Sequence, residues 1–284
     1  MSATILEGPA VAEAISKDVM QRVEALKERG VTPQLAIMRV GERPDDLSYE
    51  RGACKRAKLV GVAVRNLVFD EDVTTDELVA AVEAVNGDDA IHGLLILRPL
   101  PAHIDEERVC NALATYKDVD ACNERSLGAI FTGSGLGFAP CTAQACIEIL
   151  DHYGIEVAGK RAVVIGRSLV IGKPLAMLLL ERNATVTIAH SRTAELEKLT
   201  READIVVACV GRALMIGKPH VSPGQTLIDV GINVTEDGSL VGDVAFDEVV
   251  AVVDAVTPVP RGVGSVTTSV LCKHVVQAAE RMLV

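Results

Sequence analysis

The run RAVVIGRSLVIGKPLAMLLL, residues 161–180, carries the clearest chemical pattern in the chain. An apolar strand ends at Gly166, and a helix opens near Gly172-Lys173-Pro174. Glycine in such a turn lets backbone come close to a ligand. Free N–H groups and the positive end of a helix attract phosphate. Pro174 suits a first helical turn, where its missing N–H costs nothing. Arg167 and Ser168 can donate to phosphate oxygens. The spacing is not G-x-G-x-x-G, so a tight strand-to-helix packing turn explains the same residues equally well. The next strand, TVTIAH, ends at Ser191-Arg192-Thr193. A doubly wound fold brings that end to the adenosine ribose, where an acid suits NAD and a hydroxyl with an arginine suits the 2′-phosphate of NADP. No acid follows until Glu195. NADP is therefore the expected cofactor and NAD the alternative; a helix cap by Ser191 or Thr193 is the plain structural reading.

The elements that position these residues alternate strand and helix. Helical periodicity covers residues 10–29, 46–60 and 74–87, with a Thr cap and acidic first turn in the last. Apolar strands fill 34–40, 62–69 and 91–97, the last halted by Pro99 and Pro101. A second set starts near residue 142 and ends in a helix over the last 20 residues. Apolar strands separated by helices imply parallel sheets covered on both faces. The Gly/Thr-rich stretch 128–142 is the expected boundary between two α/β halves, with the C-terminal helix returning to the first.

Composition narrows the function. Of 284 residues, 28 are Lys or Arg and 39 Asp or Glu, a net charge of −11. A surface of that sign opposes non-specific nucleic-acid binding. Three Tyr, four Phe and no Trp leave few base-stacking platforms. No apolar run is long enough to span a membrane, and the N-terminus shows no signal-peptide pattern. The seven cysteines include no C-x-x-C and no zinc spacing, and the six histidines are scattered. Reduced thiols in a cytoplasmic protein with no metal site are expected.

Eight strings extend the pattern: VVIGRSLVIGKP (163–174), NATVTIAHSRT (183–193), ADIVVACVG (203–211), IDVGIN (228–233), GDVAFDEV (242–249), TPVPRGVG (257–264), KDVDA (117–121) and PCTAQACIEIL (140–150). Together, in their order along the chain, they resemble the methylenetetrahydrofolate dehydrogenase/methenyltetrahydrofolate cyclohydrolase family of the bifunctional FolD type. The resemblance implies an α/β fold with two domains around a cleft and a homodimer. The C-terminal domain is expected to be a Rossmann-like doubly wound parallel sheet. Residues 1–140 with the C-terminal helix 266–284 are expected to form the folate-binding catalytic domain, and 141–265 the NAD(P)-binding domain. The implied reaction oxidises 5,10-methylenetetrahydrofolate to the 5,10-methenyl form with NAD(P)+; family members usually then hydrolyse the product to 10-formyltetrahydrofolate. By resemblance, Gly166, Arg167 and Ser168 cradle cofactor phosphates and Ser191 and Arg192 lie near the adenosine ribose or its phosphate. Ile232 contacts the nicotinamide side. Leu97, Pro99, Pro260, Gly262 and Gly264 border the substrate cleft.

The folate half departs from the family pattern. In S-x-x-Y-x-x-x-K, Tyr49 matches, Asp46 stands at the Ser position and Ala53 at the Lys position. The Gln of V-Q-L-P-L-P is Leu97, followed by Arg98. K-D-V-D-G ends in Ala121, and T-P-V-P-G-G has Arg261 for its first Gly. The resemblance implies that Tyr49 stacks on the pterin and that Asp120 bonds its amino-pyrimidine edge. Oxidation needs mainly orientation, because the substrate's own nitrogens stabilise the carbocation. Hydrolysis needs a proton shuttle, which neither Ala53 nor Leu97 can supply. Weak or absent cyclohydrolase activity is expected. Lys55 lies about 200° round the helix from Ala53 and is a poor substitute, as is Arg56. Asp46 is expected to cap the Tyr49 helix. Arg98 and Arg261 are new charges that suit an anion or plain solvation. An oxidoreductase for another small molecule and a non-catalytic folate- or dinucleotide-binding paralogue are the competing functions.

Overall fold

The computed structural model describes residues 3–283. Its first part runs β1 (Thr4–Ile5), α1 (Gly8–Glu28), β2 (Gln34–Val40), α2 (Pro44–Val60), β3 (Ala63–Phe69), α3 (Thr75–Asn86) and β4 (Gly93–Ile96). Three helices follow, α4 (Glu106–Ala112), α5 (Glu124–Thr132) and α6 (Cys141–His152). Next come β5 (Arg161–Ile165), α7 (Gly172–Glu181), β6 (Thr185–Ala189), α8 (Leu196–Arg201) and β7 (Ile205–Ala208). The chain ends with β8 (Thr226–Asp229), β9 (Asn233–Val234), β10 (Leu240–Val241), α9 (Phe246–Val249), β11 (Ala255–Val256) and α10 (Thr267–Arg281). Two compact units divide it. One holds the segment up to Glu13 with Thr142–Thr267, the other Ala14–Cys141 with the segment from Thr268.

The first unit is built on a six-stranded parallel sheet ordered β1-β11-β8-β7-β5-β6. Its central strands are short apolar runs buried almost throughout, so helices cover both faces. Val163, Ile165, Val206, Leu227 and Val256 share one core cluster. The chain passes from β5 outward to β6 and then back to β7 on the other side of β5. That reversal is a topological switch point, where open α/β sheets bind ligands at the carboxyl ends of their strands.

The second unit carries a three-stranded parallel sheet, β3-β2-β4. β2 is buried from Leu35 to Val40, and β4 throughout. Met38, Leu78, Val82, Leu94, Ile96 and Val109 pack in one cluster. Thr74 and Glu77 close a reciprocal capping box at the start of α3, which removes two orphan donors. The buried Lys117 ties the far end of that helix down: its Nζ donates to the carbonyls of Val85 and Asp88, both at 2.8 Å. Burial holds the Lys117 pKa below the usual lysine range.

Several expectations need correction. Residues 3–13 fall in the six-stranded unit and not with the rest of the expected 1–140 domain, because β1 pairs in parallel with β11. The boundary expected within 128–142 does fall there, at its end between Cys141 and Thr142, after α5 has run to Thr132. Sheet coverage fails at the edges, where β3 and β6 leave side chains exposed. Asp46 does not cap α2. Pro44 starts that helix two residues earlier than expected, Arg43 is the N-cap residue without a side-chain bond, and Asp46 is buried in the first turn. Neither Ser191 nor Thr193 caps α8; its N-cap is Glu195 in the left-handed region, φ 50°.

Candidate functional site

In the six-stranded unit the turn after β5 is packed backbone against backbone. Gly166 has φ +142°, and a methyl there would collide with the carbonyl and thiol of Cys209 at the end of β7. A methyl at Gly172 would collide with the Gly166 carbonyl. Glycine is required at both positions for steric reasons. Ser168 Oγ accepts the Ile171 N–H at 3.1 Å, and the Ser168 carbonyl accepts the Lys173 N–H at 3.0 Å. Arg167, Ser168 and Lys173 are exposed around the first turn of α7. Backbone donors, a helix start and two exposed cations at a switch point fit a phosphate-bearing dinucleotide.

After β6 a second turn is tied by Thr193 Oγ1, which accepts the His190 N–H at 2.9 Å, and by His190 Nδ1, which accepts the Arg192 N–H at 3.2 Å. Those bonds leave the side chains of Ser191 and Arg192 exposed. Beyond β8, a cavity of about 240 Å³ brings together Asp229, Ile232, Pro260, Gly262 and Gly264. Pro260, Gly262 and Gly264, expected at the substrate, therefore share this unit and this cavity with Ile232. Arg261, at a Gly position of the family pattern, has a left-handed backbone, φ 76°, and pairs with Glu7 at 3.0 Å.

In the three-stranded unit, Tyr49 is half-buried on α2. Ala53, one turn on, is 0 % exposed, and Leu97 is 7 % exposed. Lys55 is exposed, and Arg56 donates to Ser16 Oγ at 3.1 Å. Arg43 reaches the Pro99 carbonyl at 2.6 Å. Together with Glu71, Leu100 and His103 these two residues line a second cavity of about 380 Å³, to which Tyr49, Leu97 and Asp120 do not contribute.

The K-D-V-D string splits by role. Lys117 is the helix anchor described above. Asp118 accepts the N–H groups of Cys122 at 2.9 Å and Asn123 at 3.1 Å, which shapes the entry to α5. Asp120 Oδ1 accepts the Cys141 N–H at 2.7 Å. Burial raises the Asp120 pKa, against that N–H and the charge of Arg98. Arg98 itself lies 3.9 Å from Glu106. Ala121, which follows, sits at φ 49°.

Sequence reading passed over two polar groups. Arg39 Nε donates to Glu50 Oε2 at 2.7 Å, Asn66 Nδ2 donates to Glu50 Oε1 at 2.6 Å, and Arg39 also reaches the Gly41 carbonyl. Arg39 and Glu50 are both buried. This group fastens α2 to β2 and β3 next to Tyr49; its faint signal was Arg39 within the apolar run of β2. The second group, Asp229 and Asp243, lies behind the 240 Å³ cavity; its signal was the paired strings DVG and GDV. Among the described residues no cluster of His, Cys, Asp or Glu is arranged to hold a metal ion, and no helix is long and apolar enough to cross a membrane.

Residues 140–283 match the model of the tetrahydrofolate dehydrogenase/cyclohydrolase NAD(P)-binding domain, and residues 6–120 that of the catalytic domain. The bifunctional protein FolD of Alkaliphilus oremlandii is 48 % identical over 274 residues, 96 % of each chain. That of Carboxydothermus hydrogenoformans is 49 % identical over 277 residues, 97 % of this chain and 96 % of the relative. The crystal structure of FolD from Campylobacter jejuni superposes with a TM-score of 0.96 at 34 % identity, covering 99 % of both chains. The Trypanosoma brucei methylenetetrahydrofolate dehydrogenase-cyclohydrolase, solved with NADP and an inhibitor, gives 0.93 at 34 % identity, covering 100 % of this chain and 99 % of that one. With two family domains matched in order over nearly its whole length, the chain belongs to the tetrahydrofolate dehydrogenase/cyclohydrolase family.

Proposed function

We propose that this protein oxidises 5,10-methylenetetrahydrofolate to the 5,10-methenyl form with NADP+ and hydrolyses the product weakly or not at all. Family membership supports the dehydrogenase reaction. NADP+, where bound, would supply the hydride acceptor for this oxidation. Gly166, Arg167, Ser168, Ser191 and Arg192 hold the phosphates and ribose, and Ile232 borders the nicotinamide. Tyr49 presents its ring to the pterin and Asp120 accepts from the amino-pyrimidine edge. Positioning is the main demand on the protein, because the substrate's nitrogens carry the developing charge.

The observation behind weak hydrolysis is the pair Ala53 and Leu97, both buried and apolar. They stand where the family pattern has a Lys and a Gln, and neither can move a proton. Lys55 points into solvent and Arg56 is engaged with Ser16, so neither replaces the missing amine. The relatives above bear a bifunctional name, and the proposal departs from it at these two positions. NADP is favoured over NAD by the exposed Ser191-Arg192 pair with no acid before Glu195. A homodimer in the cytoplasm belongs to the same reading; seven free thiols suit a reducing compartment.

The experiment supplies methylenetetrahydrofolate with NADP+ or NAD+ and follows reduced cofactor by absorbance. Decay of the methenyl product is then compared with its uncatalysed rate. The expected result is turnover with NADP+ preferred, and methenyl decay close to background. Hydrolysis as fast as oxidation would sink the monofunctional reading. The double variant Ala53→Lys/Leu97→Gln is expected to raise hydrolysis about tenfold or more, within the usual contribution of general acid–base catalysis. Light scattering tests the dimer.

A further inference from the structure

Behind the cavity after β8 two carboxylates are buried side by side. Asp229 is 3 % exposed and Asp243 0 %. Asp229 Oδ1 accepts the N–H groups of Gly231 at 2.9 Å and Asp243 at 3.0 Å, and its Oδ2 accepts that of Val244 at 3.0 Å. Asp243 Oδ2 accepts the N–H groups of Val210 at 2.6 Å and Gly211 at 3.0 Å. Its Oδ1 accepts the Arg212 N–H at 2.8 Å and the Asn233 side-chain amide at 3.0 Å. The two sites are reciprocal in space as well. A methyl at Gly231 would strike the Asp243 carboxylate, and a methyl at Gly242 would strike that of Asp229. Each aspartate thus fills the room that the other's neighbouring glycine leaves. Three segments meet here: the turn after β8, the loop after β7 and the stretch between β10 and α9.

We propose that Asp229 and Asp243 are positioning residues for the cofactor, a carboxylate lock that fixes the Gly231–Asn233 turn and so seats Ile232 beside the nicotinamide half. The inference rests on the reading of this unit as the NADP site. Neither carboxylate lies among the residues assigned to the phosphates or ribose, so the adenosine half does not depend on the lock.

The lock has a chemical signature. Burial and the neighbouring Asp243 push the Asp229 pKa up to about 6, against its three N–H bonds. The other groups at the pair are Cys209 after β7, which faces Asp243, and Thr257 beyond β11, which faces Asp229. Burial raises the thiol pKa, and the Thr257 hydroxyl oxygen accepts the Asp229 N–H at 2.7 Å. On the cavity wall Arg261 is paired with Glu7. Protonating Asp229 turns an acceptor-only group into one that carries a donor. Among three N–H donors, that weakens the bonds holding the turn, so the nicotinamide side loosens as pH falls through the Asp229 pKa.

Calorimetric titration tests this with NADP+ and with 2′-phospho-ADP-ribose, which lacks only the nicotinamide, from about pH 5 to about pH 8. Both ligands carry the same 2′-phosphate and pyrophosphate, so phosphate titration cancels in their affinity ratio. In the wild type the ratio of NADP+ to 2′-phospho-ADP-ribose affinity is expected to fall about tenfold on acidification, a readily measured change. Asp229→Asn places an NH2 group among the donors; its ratio is expected to stay low and flat across the range. Asp243→Asn is expected to lower NADP+ affinity and spare 2′-phospho-ADP-ribose. A constant wild-type ratio overturns the proposal, and this holds even where a variant fails to fold. Equal loss of both ligands in folded variants overturns it too, since that marks a merely structural role. A wild type that binds neither ligand overturns the NADP reading itself, and the lock with it.

Discussion

The six-stranded and three-stranded units present their candidate ligand-binding residues in different ways. After β5 the crowded groups are backbone: Gly166 against Cys209, and Gly172 against Gly166. In the three-stranded unit the candidates are side chains, Tyr49 on α2 and Asp120 in a loop. A backbone site leaves little freedom, because any added methyl meets atoms that cannot move. A side-chain site keeps its fold while the chemistry changes. Ala53 and Leu97 fill their places as ordinary core residues, so an apolar pair costs the fold nothing visible there. Arg261 shows where the backbone rule relaxes: it is exposed, keeps φ at 76°, and gains a pairing with Glu7.

The largest expected effect strikes the backbone site. Gly166→Ala combines a collision at Cys209 with φ +142° and is expected to weaken NADP+ binding more than about a hundredfold, as strained backbone at a binding turn would. Folate binding to the other unit, read by fluorescence titration, should be spared. Comparable losses of both ligands would erase the contrast between the units.

Glu50→Ala is next. It leaves Arg39 buried without its carboxylate, and removing one partner of a buried pair costs about 3–5 kcal/mol. Urea unfolding reads the loss. Replacing both charges, Arg39→Leu with Glu50→Val, is expected to recover most of it, because an apolar pair needs no solvation.

A third test concerns pH. The Asp229 pKa lies near 6 in the fold and near about 3.9 in an unfolded chain. Its contribution to stability is therefore fully present below about pH 4 and is lost as pH rises through about 6, by roughly 3 kcal/mol. Urea unfolding across that window should show the slope in wild type and not in Asp229→Asn. The ionised form that holds the cofactor turn is thus the less stable one, a cost often found at functional sites.

The smallest effect is Ala121→Gly. Ala121 occupies the left-handed region at φ 49°, where a Cβ costs about 1–2 kcal/mol. The variant is expected to melt a few degrees higher with unchanged turnover. No gain in melting temperature would mean that Ala121 is accommodated without strain.

Much of this was legible in the chain. The strand at 34–40 and the capping box at Thr74 follow from local pattern and cap chemistry. The Gly166 turn was visible because strand, glycine and helix start lie within a dozen residues. The role of Asp46 was misread because its side chain could serve as a cap, while Pro44 decided the start of the helix. β1 was missed because two residues carry no periodicity and find their partner 251 positions away, Thr4 opposite Ala255. The Arg39–Glu50–Asn66 group was missed because its members come from three elements.

By itself the sequence determined the alternation of strands and helices, the family, and the absence of an amine and an amide at positions 53 and 97. Those are properties of residue type and of contacts close along the chain. The tertiary structure alone decided which unit takes residues 3–13, and that Gly166 backs onto Cys209. It also decided that Asp229 and Asp243 interlock through each other's glycines. These depend on contacts between segments distant in sequence, where the sheet order and the space left by a missing Cβ set the outcome.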